Sequence, residues 1–101
     1  MLRPAMIIAV RELHPLRGRE HRLYDGVVIG RAPECDLALD DPLVSRRHAR
    51  VLVSDLGVAI EDLDSSNGVY VNGVGRRGVT PLHPGDVIQL GGTWWRVERI
   101  S

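Results

Sequence analysis

Three short segments of this 101-residue chain gather side chains able to hold an anion: Gly30-Arg31, Ser45-Arg46-Arg47-His48 and Ser65-Ser66-Asn67-Gly68. Two of them carry arginine, whose guanidinium offers N–H donors in a rigid planar fork that matches phosphate oxygens. Serine hydroxyls and loop N–H groups can complete such a cradle. A phosphate is an acceptor on every side and carries about −1.5 to −2 charges at neutral pH, so a donor-rich cluster suits it. Each segment falls at the end of an expected strand or in the loop beside one, where a sheet can hold a binding loop rigidly.

The elements that must position these segments read as strands. Runs of Val, Ile, Leu, Tyr and Trp are broken by Gly, Pro, Asn or Asp at the spacing of a sandwich or barrel. Strands are expected near Met6–Leu13, His21–Leu23, Val27–Gly30, Leu37–Leu39, Ala49–Ser54, Val58–Asp62, Val69–Val71, Val87–Leu90 and Trp94–Ile100. Ala49, Val51 and Val53 alternate with Arg50 and Ser54, and Ile88 and Leu90 flank Gln89, the period of a half-buried strand. No apolar pattern holds a helical period for three turns. Asn67-Gly68 and Asn72-Gly73 supply residues that tolerate positive φ on either side of Val69-Tyr70-Val71. His83-Pro84-Gly85-Asp86 presets another turn, and Gly75-Arg76-Arg77-Gly78 reads as an exposed loop. Neither repeat nor linker interrupts the chain, so one domain is expected over residues 1–101.

Composition narrows the function. Hydrophobic residues at 44% and charged residues at 26% are those of a globular domain that can bury a core. Thirteen arginines, with no lysine, balance thirteen acidic residues; a nucleic-acid binder would show a basic excess, so that partner is not expected. The arginine bias marks a GC-rich, bacterial genome. The single Cys35 excludes an internal disulfide framework and reads as a small packed residue. His14, His21, His48 and His83 lack the spacing of zinc ligands, and neither metal nor cofactor is expected. Asp36, Asp40 and Asp41 read as a solvated acidic turn, since their spacing is not that of a calcium loop. Ser45, His48 and Asp62 could be drawn as a hydrolase triad, but no nucleophile elbow accompanies them and no enzymatic activity is expected. The stretch Ala5–Val10 after Arg3 is too short for a leader and runs into Arg11 and Glu12, so it reads as a first strand. No apolar run approaches a membrane span, and a cytoplasmic location is expected.

Taken in order, Gly30-Arg31, Ser45-x-x-His48 and Asp62-Leu63-x-Ser-Ser-Asn67-Gly68-x-Tyr-Val-Asn72-Gly73 resemble the signature of forkhead-associated (FHA) domains. Cys35-Asp36-Leu37, Val44, Ala49 and Pro84-Gly85-Asp86-x-Ile88-x-Leu90-Gly91 add to the match, which runs from about residue 27 to residue 97. The resemblance implies an all-β, eleven-stranded sandwich that binds phosphothreonine peptides through loops at one end. It further implies that Arg31 and Ser45 contact the phosphate and that Arg46 adds a further contact. Ser66 would reach the phosphate or shape the pocket for the threonine methyl, and Asn67 would bond the peptide backbone. Gly30 and Gly68 would let the chain turn into Arg31 and out of Asn67, and His48 would brace the loops. Arg46 and Arg47 are adjacent, so only one can face the pocket, and Arg46 is favoured over Arg47 as Ser66 is over Ser65. Asn67 can also serve the turn itself.

The implied partner is a phosphothreonine-containing protein or peptide, and with it a Ser/Thr kinase system. A rival reading is a phosphate-independent scaffold on the same sandwich, with Trp94 at its interface. Trp95 shares its phase with Val97 and belongs inside. Trp94 falls on the face of Arg96 and Glu98, exposed in part and stacked on Arg96.

Overall fold

The computed structural model describes residues 6–101; Arg3 and Ala5, the start of the stretch weighed above as a leader, lie outside the described residues. Their regular structure is strand alone: β1 (Ile8–His14), β2 (Glu20–Leu23), β3 (Val28–Gly30), β4 (Leu37–Ala38), β5 (Ala49–Ser54), β6 (Gly57–Asp62), β7 (Val69–Val71), β8 (Val74–Arg76), β9 (Val79–Leu82), β10 (Val87–Leu90) and β11 (Thr93–Ile100). Two sheets form the sandwich, one in the order β2-β1-β11-β10-β7-β8 and the other β4-β3-β5-β6-β9. All pairs with a given register are antiparallel except β3 with β4. No helix among the described residues is long and apolar enough to cross a membrane.

Period-two alternation builds the core. Ala49 and Val51 on β5, Val58 and Ile60 on β6, Ile88 and Leu90 on β10, and Trp95 and Val97 on β11 are all buried between the sheets. Burying each large aliphatic side chain contributes about 1.5–3 kcal/mol, which sets the register, because a one-residue slip would turn the whole row to water. Trp95 is 1% exposed and Trp94 43%. The expected stacking of Trp94 on Arg96 gives way to an ion pair: Arg96 Nε donates to Glu98 Oε2 at 3.0 Å.

The pattern reading missed two strands. Gly75 and Arg76, read as loop, belong to β8, which pairs with β7 through an Asn72-Gly73 turn whose φ values are +53° and +80°. Both turn residues in the left-handed region match the twist of a two-residue hairpin. β8 is exposed throughout and lies at a sheet edge, so it carries no alternation to read. β9 contains Pro81, which speaks against a central strand; β9 is an edge strand, the place where a missing N–H is tolerated.

In the acidic turn Asp36 and Asp40 are exposed, as expected, but Asp36 and Asp41 also accept bonds from the chain. Asp36 Oδ2 accepts the Val28 N–H at 2.9 Å. Asp41 Oδ1 accepts the Leu43 N–H, and its Oδ2 accepts the Gly92 N–H and the Thr93 hydroxyl, each at 2.9 Å. Asp41 thereby ties the β4–β5 loop to the β10–β11 turn.

Candidate functional site

Neighbouring antiparallel strands bring their alternate ends together. β3 ends at Gly30, β5 begins at Ala49, and β6 ends at Asp62; because β3, β5 and β6 are adjacent and antiparallel, these three points share one end of the sandwich. The three donor-rich segments are therefore gathered by topology.

Their meeting point is the segment Leu43–Ser45, pinned by the buried side chain of Val44. The Val44 carbonyl accepts Arg31 Nε at 3.1 Å, and the Ser45 carbonyl accepts the Arg31 N–H at 2.9 Å. Ser45 Oγ accepts the Ser66 N–H at 2.9 Å, and the Leu43 carbonyl accepts Asn67 Nδ2 at 2.8 Å. Arg31, Ser45, Ser66 and Asn67 thus sit around one three-residue segment, and Arg31, Ser66 and Asn67 are exposed. Arg46 follows directly, its side chain 64% exposed and 3.7 Å from Glu34 Oε2. Its carbonyl accepts the Ala32 N–H at 3.0 Å and the Cys35 thiol at 3.1 Å, so Cys35 is held beside this loop. Arg47 is exposed.

His48 is fully buried behind these loops. Its Nδ1 accepts the Ser45 N–H at 3.0 Å, which places the ring proton on Nε2, and Nε2 donates to the Gly68 carbonyl at 2.7 Å. One imidazole therefore bridges the serine loop and the asparagine turn. Both its nitrogens are bonded to backbone, while Asp62 bonds Ser65 and Arg77, so no Ser45–His48–Asp62 relay is assembled.

Ser65 and Ser66 divide their work. The buried Ser65 donates its hydroxyl to Asp62 Oδ1 and accepts the Gly68 N–H at 2.9 Å, whereas the Ser66 side chain is exposed. Arg77 Nη1 donates to Asp62 Oδ2 at 2.8 Å and to the Ser65 carbonyl at 2.7 Å. Burial pushes the Asp62 carboxyl upward, but the Ser65 and Arg77 bonds outweigh it and hold it below the ordinary aspartate value.

Gly68 has φ +81°, as a turn out of Asn67 requires. The chain bends directly after Gly30, at Arg31 and Ala32, without a left-handed φ at Gly30, and what requires glycine there is space. A Cβ there would stand 2.2 Å from the Arg46 carbonyl oxygen and 2.9 Å from Cys35 Sγ. Sequence reading did not find Leu43, Asp41 or Arg77 in this assembly. Arg77 lies fifteen residues from Asp62, and only the β8 and β9 pairings, invisible to the pattern, bring them together.

A two-sheet sandwich with arginine and serine loops gathered at one end is a recognition architecture, and the comparisons say which. The FHA domain family model matches residues 27–91, and the chain belongs to the FHA domain family. It is 45% identical over 62 residues to the oxoglutarate dehydrogenase inhibitor of Corynebacterium efficiens, covering 61% of this chain and 43% of that protein. It is 38% identical over 84 residues to the transcriptional regulatory protein EmbR of Mycobacterium bovis, covering 81% of this chain and 22% of that one. This chain thus spans less than half the length of either relative. Among solved structures, the FHA domain of the CT664 protein of Chlamydia trachomatis superposes with TM-score 0.82 at 32% identity, over 92% of this chain and 97% of that one. Mycobacterium tuberculosis EmbR, solved with a low-affinity phosphopeptide, gives 0.84 at 30% identity over 91% of this chain and 24% of that one.

Proposed function

We propose that this domain is a non-enzymatic reader of phosphothreonine in a partner protein or peptide modified by a Ser/Thr kinase. The observation that carries the reading is the gathering of Arg31, Ser45, Ser66 and Asn67 around Leu43–Ser45. Arg31 spends Nε on the Val44 carbonyl and keeps the outer nitrogens of its fork for phosphate oxygens. Ser45 Oγ already accepts the Ser66 N–H, so its own hydroxyl proton points elsewhere and can be donated. Arg46 and the Ser66 hydroxyl complete a cradle of donors. Asn67 keeps Oδ1 and one amide N–H for the peptide backbone, while Gly30, His48 and Gly68 hold the loops. Binding of this kind needs neither metal nor proton transfer.

In this reading residues 1–101 act as one recognition unit, and a Ser/Thr kinase as the modifying enzyme fits the expected cytoplasmic location. Few contacts lie beyond the phosphorylated residue and its flanks, so affinity is expected near micromolar, on the order of −8 kcal/mol. The decisive experiment is a phosphothreonine peptide-library screen followed by calorimetry on Arg31→Ala. Losing a charge-assisted contact costs about 1.5–3 kcal/mol, and the Arg31 fork can make two. Losing both weakens a micromolar complex by about two orders of magnitude or more, beyond measurable binding, while circular dichroism stays unchanged. Near-normal affinity in folded Arg31→Ala would overturn the site. Partner capture that survives this change but is lost in Trp94→Ala would favour the scaffold.

A further inference from the structure

We propose that Arg77 is a positioning residue for the ligand-contacting turn Ser65–Gly68, clamping it so that Ser66 and Asn67 face the phosphate loop. The inference rests on the phosphothreonine reading but has an arm that stands without it.

The turn is held from two directions. Ser45 Oγ and the Leu43 carbonyl take the Ser66 N–H and the Asn67 amide. From another direction Arg77 Nη1 donates to the Ser65 carbonyl at 2.7 Å and to Asp62 Oδ2 at 2.8 Å. The guanidinium also lies close enough to Gly68 that a Cβ there would stand 3.6 Å from Cζ and Nη2. The guanidinium therefore packs directly against the turn at Gly68, where the φ of +81° is what requires glycine.

What distinguishes this pair from an ordinary surface ion pair is the burial of one partner. Asp62 has 2% of its side chain exposed, while 59% of the Arg77 side chain remains in water. Exposed pairs contribute little, but a buried carboxylate stripped of its cation is left with an uncompensated charge. Asp62 in turn sets Ser65, through both the Ser65 hydroxyl and its N–H. Ser65 Oγ takes the Gly68 N–H, the Gly68 carbonyl takes His48 Nε2, and His48 Nδ1 takes the Ser45 N–H. One unbroken chain of bonds therefore runs from Arg77, outside the pocket, through Asp62, Ser65, Gly68 and His48 to Ser45. Releasing its outer end frees the turn that carries two of the ligand contacts, without removing any of them.

The test has two arms. In the free protein, the amide resonances of Ser66 and Gly68 and the ring nitrogens of His48 are followed by NMR in Arg77→Gln and Arg77→Lys. The Gln variant is expected to shift them with the core amides in place, and the Lys variant, which keeps a charged donor, to shift them less. In the second arm, a labelled phosphothreonine peptide selected from the library on wild-type protein is titrated into both variants, Asp62→Asn and the double variant Asp62→Asn/Arg77→Gln. Arg77→Gln is expected to weaken binding about tenfold or more, Asp62→Asn similarly, and the double variant no further, since both remove one clamp. Unmoved resonances, or affinity within about twofold of wild type, would overturn the proposal. So would additive losses, which would make Arg77 a direct ligand contact. If wild-type protein selects no phosphothreonine peptide, the functional reading fails, and the resonances alone decide whether Arg77 holds the turn.

Discussion

The hydroxyl oxygen of Ser45 accepts the backbone N–H of Ser66 across 2.9 Å, joining two loops twenty-one residues apart in sequence. The bond leaves the Ser45 proton as the available donor and fixes where it can point. Because the loops bond one another in the free protein, a ligand meets a site already ordered. Less of its binding energy is then lost to fixing side chains and backbone.

His48→Ala is expected to destabilise the domain more than Arg31→Ala. The histidine is fully buried, and its loss strands the Ser45 N–H and the Gly68 carbonyl and opens a cavity behind them. Each stranded group costs about 1–3 kcal/mol, and each kcal/mol lowers the melting midpoint of a domain this size by roughly 4–8 °C. Arg31, by contrast, is exposed. Thermal melts of the two variants side by side decide the point; equal midpoints would remove the bracing role.

Gly30→Ala, the smallest change available in the site, is expected to be among the most damaging. Its methyl would stand 2.2 Å from the Arg46 carbonyl oxygen, which is backbone and holds both Ala32 and Cys35. Overpacking of this sort costs about 1–3 kcal/mol, and here the strain falls on the Ser45–Arg46 loop. Chemical denaturation should show lost stability and calorimetry a weakened peptide complex. A Gly30→Ala protein with both unchanged would mean that the loop yields freely.

Acid should unfold the domain through identifiable carboxylates. Asp62 is raised by burial but lowered more by Ser65 and Arg77, and its folded value lies below the ordinary 3.8. Glu12 behaves alike: burial raises it, and the His21 and Leu16 hydrogen bonds bring it below 4.5. A depressed folded pKa adds stability in full above the unfolded value, and that stability is lost as pH falls through the folded one. Stability is therefore expected to hold with respect to these groups down to about pH 5 and to fall below about pH 4. Asp62→Asn should start lower and fall less steeply in urea titrations taken across that range. A wild-type profile flat to about pH 2 would show that neither carboxylate carries this load.

The parts of this fold legible in the sequence are those under two-sided constraint. Ile88 and Leu90 announce their strand because one face is core and the other water, and Val69–Val71 is bracketed by Asn-Gly on each side. β8 and β9 escaped because an exposed edge imposes no alternation and tolerates Pro81. At the candidate site, the residues proposed to face the ligand are readable as motifs of donors. Their supports are not: the Leu43 carbonyl is backbone, which any residue would offer, and Arg77 looks like one more charge in a glycine-flanked loop. Ser65 and Ser66 are identical in type; the resemblance favours Ser66, and the structure separates them physically by burying Ser65 against Asp62 and leaving Ser66 exposed.

Discrimination among acidic residues gives the most exacting test of the pocket, and the expected order is phosphothreonine, then phosphoserine, with glutamate failing. A tolerated methyl would contribute only about 0.8 kcal/mol by transfer, roughly fourfold. A larger gap is expected here if the γ-methyl also fixes the rotamer that presents the phosphate to Arg31 and Ser45, whose own positions are set by the Val44 carbonyl and the Ser66 N–H. Glutamate carries one charge on a planar carboxylate, whereas the donors around Leu43–Ser45 are proposed to surround a tetrahedral group of about −2. Three peptides identical but for that residue, titrated at low and moderate salt, measure the order directly. Equal affinity for phosphoserine would remove the methyl's role. Glutamate binding that fades with salt would turn the same arginines into a general receptor for acidic peptides, since charge attraction without geometric fit is what salt screens.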